Sequence, residues 1–131
     1  MIVRRLGPGD EAVVAALAGE REPQSEYLVD ENALHWVAEE NGAVLGQLLC
    51  YLERRCAGDA RQLLLYEIEV VEQRRREGVG RALVAAMEEW MREHDVTSVW
   101  VLADNDGAEA FYAACGFARD DDQPVQMSRR L

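Results

Sequence analysis

The sequence of 131 residues contains no lysine, because each of its 14 basic residues is an arginine. This absence excludes Schiff-base chemistry, a lysine general base and the lysine of a phosphate-binding P-loop. Histidine is nearly as scarce, since only His35 and His94 occur and neither has a partner at metal-ligand spacing. The sequence also lacks the Gly-x-Ser-x-Gly pattern of serine hydrolases. We therefore expect neither a metal site nor a histidine-dependent nucleophile.

Cysteine is rare and unpaired in pattern. The three cysteines form no Cys-x-x-Cys motif, and an odd count is untypical of a secreted disulfide framework. The first residues lack the long apolar core of a signal peptide, and no apolar run approaches the ~20 residues needed to span a bilayer. The sequence therefore predicts a soluble, cytoplasmic protein with reduced thiols and no membrane partner.

Acidic residues outnumber basic ones by 25 to 14, which gives a formal net charge of −11. Such a charge repels nucleic-acid phosphates and anionic lipids, and it attracts cations. We therefore expect no nucleic-acid partner and a cationic small molecule as the more natural ligand. Because 49% of the residues are hydrophobic and the chain is short, a single globular domain spanning residues 1–131 is predicted.

Hydrophobic periodicity and turn residues predict alternating strands and helices. The pair Asn41-Gly42 between two apolar runs is a strong hairpin signal. Strands are expected at 2–6, 34–39, 44–52, 63–71, 97–102 and 124–127, and helices at about 10–17, 78–93 and 105–114. The order β-α-β-β-β-α-β-α-β predicts an α/β protein with a mixed sheet and helices on its faces.

The segment 73–81 combines three successive arginines with Gly78 and Gly80, where a predicted strand leads into a predicted helix. Glycines at such a junction allow a ligand to approach the main chain, and the start of a helix favours anions. These features predict a pyrophosphate-binding turn. The alternative is a solvated basic turn before a surface helix.

Two motifs in this order resemble those of the GNAT N-acetyltransferase superfamily. The first, Arg75-x-x-Gly78-x-Gly80, resembles its acyl-CoA signature. The second begins a helix at an asparagine and ends it at Gly-Phe: Asn105-x-x-Ala108-x-x-Phe111-Tyr112-x-x-x-Gly116-Phe117. The resemblance implies a mostly antiparallel mixed sheet, acetyl-CoA as cofactor, and direct acetyl transfer to an amine.

The same resemblance implies the residues that bind the cofactor. The main chain of the turn would hold the pyrophosphate, the strand at Ile68 and Val70 would pair with the pantetheine arm, and Asn105 and Tyr112 would lie near the cofactor. Tyr112 stands where many members protonate the departing thiolate, although it could equally be a packed aromatic. The residues of the turn are Arg75, Arg76, Glu77, Gly78, Val79, Gly80 and Arg81.

Glu67 and Glu69 alternate with aliphatic residues in a predicted strand, so their side chains share one face. A neighbouring like charge raises the pKa of a carboxylate, which suits a general base. We expect Glu67 to deprotonate the acceptor amine, directly or through a water, with Glu69 as second choice. Alternatively, both glutamates only bind a cationic substrate or face solvent.

Shorter matches resemble the aminoglycoside 3-N-acetyltransferases within this superfamily. They are Tyr66-Glu67-Ile68-Glu69-Val70, Ser25-Glu26-Tyr27-Leu28, Ala103-Asp104-Asn105-Asp106 and Pro124-Val125-Gln126-Met127. The loops at 29–34 and 103–107 are shorter here. The resemblance implies an aminoglycoside acceptor acetylated at the 3-N position and a role in antibiotic resistance.

An acidic cleft lined by Glu67, Glu69, Asp104 and Asp106 would attract a polycationic acceptor. A polyamine or a peptide amine would be attracted by the same charges. A non-catalytic module that binds acetyl-CoA is the alternative of a different class. Many members of the superfamily pair through sheet edges or C-terminal strands, so the resemblance also implies a homodimer.

Overall fold

The computed structural model describes residues 1–58, 60–122 and 124–131, in which five strands form one sheet in the order β1-β2-β3-β4-β5. The first four strands pair antiparallel, and β4 pairs with β5 in parallel. The strands are β1 (Ile2–Arg5), β2 (Ala33–Glu40), β3 (Ala43–Arg54), β4 (Arg61–Val70) and β5 (Val99–Trp100). The helices are α1 (Glu11–Ala18), α2 (Val79–Glu93) and α3 (Asp106–Ala114), with 3₁₀ turns at Glu26–Val29 and Glu72–Arg74. The expected α/β fold with a mixed, mostly antiparallel sheet is confirmed.

The hairpin between β2 and β3 forms where the sequence predicts it. Asn41 has φ 51° and Gly42 has φ 80°, and the pair joins Glu40 directly to Ala43. Positive φ at both central residues is the requirement of a type I′ turn, which asparagine and glycine meet at low cost. This turn fixes the start of the pairing between β2 and β3.

The sheet buries one apolar cluster on each face. The larger cluster packs against α2, whose apolar residues recur at helical spacing and include Leu83 and Met87, both fully buried. The smaller cluster lies beneath α1 and the first 3₁₀ turn and contains Leu6, Val14 and Val37. His35, two residues before Val37 and on the same face of β2, is also buried. The polar site described below lies on this second face.

Two predictions at the C-terminal side of the chain differ from the structure. The strand expected at 97–102 is reduced to Val99–Trp100, because only two register positions pair with β4. The strand expected at 124–127 is wrong, since these residues have no regular structure and Val125 and Met127 are exposed. Pro124 cannot donate a ladder hydrogen bond, and the short β5 offers little edge to pair with.

Among the described residues, no helix is both long and apolar enough to cross a membrane.

Candidate active site

A bulge in β4 sets the direction of the two glutamates. Leu49 pairs with Glu67 and Cys50 pairs with Leu65, so Tyr66 is an extra residue in β4. An extra residue shifts the register by one and exchanges the faces of the side chains beyond it. Glu67 and Glu69 consequently lie on the face that carries Gln47 of β3, away from α2. The shared face expected from the sequence is what the structure shows.

Glu67 is half-buried and Glu69 is exposed. Burial raises the pKa of Glu67, and the negative charge of Glu69 raises it further. Arg21, in the loop after α1, and the nearby amide of Gln47 act in the opposite direction and lower that pKa. The net rise brings the carboxyl closer to the pKa range in which a general base works near neutral pH.

A cleft of about 440 Å³ opens beside Glu69, between α1 and strands β3 and β4. Its walls come from the C-terminal half of α1, the hairpin turn and the end of β4, and they include Leu17, Gln47 and Val71. Three tyrosines, Tyr27, Tyr51 and Tyr66, lie next to the same face. The rings of Tyr51 and Tyr66 meet edge to face with centroids 5.4 Å apart. The carboxylates therefore stand between an open cleft and an aromatic surface, an arrangement suited to an amine-bearing ring.

The edge of β4 opposite β3 is paired only at its start. Within the described residues, β5 contacts β4 at Leu63 and Leu64, and the strand then continues to Val70 without a neighbour on that side. Ile68 and Val70 pack their side chains into the larger apolar cluster, so only their main chain is available at this edge. Unpaired N–H and C=O groups of this kind can bind an extended ligand as an added strand.

The segment after β4 ends in an uncapped helix start. Gly78 has φ 87° and is the N-cap residue of α2, and no side chain accepts a hydrogen bond from the first helical turn. Arg76 also has positive φ, at 67°. The N–H groups of Val79, Gly80 and Arg81 thus lack partners within the helix and carry the positive end of its dipole. This geometry leaves N–H groups available for an anion, and pyrophosphate binding at this turn stays a prediction.

The arginines of this segment, which we call the phosphate turn (residues 73–81), have different surroundings. Arg74 forms ion pairs with Glu40 at 2.6 Å and Glu77 at 2.9 Å. Arg75 donates to the carbonyl of Val70 at 3.4 Å. Among the described residues, Arg76 and Arg81 form no ion pair, and both are exposed. Glu77, predicted as a cofactor residue, therefore directs its side chain to Arg74, and only its main chain can contribute to anion binding.

Gly80 is buried for a reason that the sequence did not suggest. A Cβ at this position would lie 3.0 Å from Cε1 and Cζ of Phe111 in α3. Gly78, by contrast, has open space around the position of a Cβ, and its positive φ is what favours glycine. Val79 is buried in the core. Gly80 therefore brings α2 and α3 together, and Gly78 shapes the turn.

Asn105 begins α3, as the sequence predicts. Its Oδ1 accepts from the N–H of Ala108 at 2.8 Å, which caps the helix and leaves the amide nitrogen available. Asp104 and Asp106 flank it and are exposed. Asp104 raises the pKa of Tyr112, whereas Asp106 acts on Arg119. The two aspartates predicted to bind substrate therefore act electrostatically on different neighbours, and of the two only Asp104 affects the pKa of Tyr112.

Tyr112 is 8% exposed and packs between two aromatic rings. Its ring centroid lies 5.6 Å from that of Phe111 and 5.5 Å from that of Phe117. Burial raises the pKa of Tyr112, and the charge of Asp104 adds to the rise. No hydrogen bond joins its hydroxyl to another described residue. The structure therefore shows the packed position of Tyr112, and its role as a proton donor stays a prediction.

The sequence did not identify four residues next to the carboxylates: Tyr27, His35, Gln47 and Tyr51. His35 and Gln47 are both buried and hydrogen-bond each other. Two polar residues inside apolar runs that a hairpin joins are the signal that could have found them. That signal predicts burial and does not by itself predict contact with Glu69.

The family model described as "Acetyltransferase (GNAT) family" matches residues 9–117. N-acetyltransferase 8 of Rattus norvegicus is 28% identical over 95 residues, which are 71% of this chain and 43% of the relative. The matched stretch thus spans less than half the length of that relative.

Solved structures share the fold at lower identity. The aminoglycoside acetyltransferase meta-AAC0020 from an uncultured soil metagenomic sample, in complex with sisomicin, superposes with TM-score 0.83, 22% identity and coverage of 99% of this chain and 95% of that one. Aminoglycoside N-acetyltransferase AAC(6')-Iy in complex with CoA gives TM-score 0.78, 15% identity and coverage of 99% and 100%. Acetyl-CoA is the cofactor of this family. The uncapped start of α2, the basic turn and the open edge of β4 fit such a molecule.

Proposed function

Because the chain belongs to the Acetyltransferase (GNAT) family, we propose that it transfers an acetyl group from acetyl-CoA directly to an amine of an aminoglycoside. One observation carries this proposal: β4 presents two carboxylates on one face, an unpaired edge beyond Leu64, and a phosphate turn at its end. The carboxylates that would activate the amine and the edge that would bind the acyl donor thus belong to the same strand. Acetyl-CoA supplies the thioester whose carbonyl carbon the amine attacks.

Glu67 acts as the general base. Its carboxylate accepts the proton that an ammonium acceptor must lose before it attacks, either directly or through a water. The raised pKa of Glu67 supports this role, because a more basic carboxylate removes a proton more readily. Glu69 keeps a second negative charge beside it and attracts the cation to the cleft.

Tyr112 acts as the general acid. Its Oη carries a proton at neutral pH, as a phenol ordinarily does, and burial and the charge of Asp104 raise its pKa further. The same oxygen is free of hydrogen bonds to described residues, so it can donate this proton to the sulfur that leaves. Phe111 and Phe117 pack against the ring and hold the phenol in place.

An aminoglycoside satisfies the charge and shape of the cleft. The chain has a net charge of −11, and Glu69, with Glu67 on the same face of β4, lines an open volume of about 440 Å³. Aromatic rings of Tyr51 and Tyr66 offer faces and edges to a sugar ring or an ammonium group. The structural neighbour that holds sisomicin supports the same acceptor class.

We propose the 3-N amine as the acetylated position, on the resemblance of the β4 segment and the neighbouring short motifs. The name of one structural neighbour carries the 6' position instead. The two positions lie on different rings of the acceptor, so the product itself distinguishes them. Two-dimensional NMR of the purified acetylated aminoglycoside would show which nitrogen carries the amide.

The test is the initial rate of CoA release from acetyl-CoA with a gentamicin-type aminoglycoside, spermidine or a basic peptide as acceptor. We expect turnover with the aminoglycoside that exceeds turnover with either alternative. Faster turnover with spermidine or the peptide would move the acceptor to that class and leave acetyl transfer intact. Binding of acetyl-CoA without turnover on any acceptor would contradict the enzymatic proposal and favour a cofactor-binding module.

A further inference from the structure

A buried chain of hydrogen bonds crosses three elements and ends at the carboxylates of β4. Oη of Tyr27, in the 3₁₀ turn Glu26–Val29, lies 2.6 Å from Nδ1 of His35. Nε2 of His35 lies 2.6 Å from Oε1 of Gln47, and Nε2 of Gln47 donates to Oε2 of Glu69 over 3.3 Å. His35 is 5% exposed and Gln47 is 4% exposed. No role proposed above uses this pair.

The chain has only one consistent arrangement of protons. An ionised carboxylate only accepts hydrogen bonds, so the amide of Gln47 presents its nitrogen to Glu69 and its oxygen to His35. An amide oxygen also only accepts, so Nε2 of His35 carries the proton. In the neutral ring, Nδ1 then accepts from the hydroxyl of Tyr27. Every donor in the chain therefore points towards Glu69.

Burial keeps the first two members of the chain, Tyr27 and His35, in the required forms. It lowers the pKa of His35, so the imidazole is neutral, and it raises the pKa of Tyr27 to about 12, so the phenol keeps its proton. The Gln47 amide, which donates to Glu69, also lowers the pKa of the neighbouring Glu67. A primary amide conducts no proton under ordinary conditions, so this chain orients groups and does not relay protons.

We propose that His35 and Gln47 are positioning residues that hold the amide of Gln47 on the carboxylate of Glu69, beside Glu67, with His35 fixed as the neutral Nε2–H tautomer. The proposal rests on the proposed function for its catalytic consequence, because the carboxylates are assigned there as base and charge partner. The arrangement itself stands on the hydrogen bonds. Because the amide cannot flip without losing its bond to His35, the carboxylate of Glu69 keeps a fixed donor.

The first test reads the tautomers directly. A long-range ¹H–¹⁵N spectrum at pH 8 resolves both histidines of the chain, and His94→Gln assigns them. We expect His35 to carry its proton on Nε2. His94 is an internal reference, since its Nδ1 lies 2.8 Å from the carbonyl oxygen of Trp90 and must donate to it. A proton on Nδ1 of His35 would overturn the proposal.

The second test removes the amide. Gln47→Leu takes away the donor with a side chain of similar size, and Gln62→Leu, which removes a partner of Glu53, is the matched control. In a ¹³C carboxyl titration we expect the midpoint of Glu67 to move upward in Gln47→Leu only. The other groups that act on Glu67, namely Glu69, Arg21, Tyr27 and Tyr51, are unchanged in both variants. An unchanged midpoint in a folded Gln47→Leu protein would refute the positioning role.

The third test separates this proposal from the proposed function. With an active acceptor, Gln47→Leu should lower kcat roughly 10- to 100-fold through misplacement of the carboxylates, with little change in the KM for acetyl-CoA. Should Gln47→Leu fail to fold, Tyr27→Phe tests the half-buried first member of the chain. In this variant we expect the Nδ1 resonance of His35 to shift, because this ring nitrogen loses its hydrogen-bond donor. An unshifted resonance would count against the chain of hydrogen bonds. Neither NMR readout requires acetyl transfer. An inactive protein would therefore contradict the proposed function, and the NMR readouts would still decide this inference.

Discussion

Gly80 lies so close to Phe111 that a Cβ on the glycine would approach ring atoms Cε1 and Cζ to 3.0 Å. The glycine belongs to the first turn of α2 and the phenylalanine to α3, so this contact joins the phosphate turn to the helix that carries Tyr112. A substitution at Gly80 therefore changes helix packing before it reaches a ligand. Effects on cofactor binding at this position are indirect.

We expect Gly80→Ala to lower the free energy of unfolding by about 1–3 kcal/mol, the usual cost of overpacking. Urea denaturation of the apo protein would measure it. Adding Phe111→Leu removes the ring atoms that the new Cβ would meet, so the double variant should lose less stability than the sum of the single variants. Additive losses would mean that the two residues are not in contact.

The hydroxyl of Tyr112 is the only atom that Tyr112→Phe removes, because the ring stays between Phe111 and Phe117. We expect kcat to fall about 10²- to 10⁴-fold, the range for loss of a general acid. Calorimetric affinity for acetyl-CoA should stay near the native value. Unchanged turnover would remove Tyr112 from the chemistry and leave it a packed aromatic.

Arg76 is exposed in the phosphate turn and forms no ion pair with a described residue. Arg76→Gln should weaken CoA binding by about two- to fivefold, because an exposed charge contributes modestly. The difference should shrink as salt is raised, since exposed charges are screened. Arg92→Gln near the opposite end of α2 is the control, because Arg92 pairs there with Glu88 and Glu89. Equal losses in both variants would argue for a general charge effect and against a local anion site.

The raised pKa of Glu67 predicts the pH dependence of the reaction. The carboxyl accepts a proton only when it is ionised, so kcat/KM should rise as pH increases through a midpoint above the ordinary value of 4.5. The sign for stability is opposite: a carboxyl with a raised pKa favours folding when protonated, and that contribution is lost as pH rises. Glu67→Gln should abolish the acid limb of the kcat/KM profile, and Glu72→Gln, in the exposed 3₁₀ turn after β4, should keep it. An acid limb that persists in Glu67→Gln would assign the base elsewhere.

Local sequence signals were sufficient for most of the fold. Asn41-Gly42 predicted the hairpin, the apolar spacing predicted α2, and Asn105 predicted the start of α3, because each of these depends on neighbours in the sequence. The wrong strand at 124–127 has the alternation of a strand, but whether a strand forms also depends on an edge to pair with. The sequence also did not indicate that β5 would be only two residues long.

The candidate site was harder to predict because two bulges decide it. If the two-residue turn at Asn41-Gly42 were followed by regular pairing, Gln47 would lie opposite Trp36, on the face away from His35. Leu45 is an extra residue in β3, so Gln47 pairs with Val37 instead and reaches the face of His35. Tyr66 similarly brings Glu69 opposite Gln47. A one-residue shift exchanges faces, and nothing in the alternation of either strand marks it.

The most direct measurement is the fate of a ¹³C-labelled acetyl group from acetyl-CoA in a mixture of this protein and a gentamicin-type aminoglycoside, followed by mass spectrometry of both. Direct transfer between β4 and Tyr112 predicts one labelled acetyl amide on the aminoglycoside and none on the protein. Label retained in acetyl-CoA, with no labelled product, would contradict acetyl transfer to this acceptor. Label on the protein before it reaches the aminoglycoside would contradict direct attack by the amine.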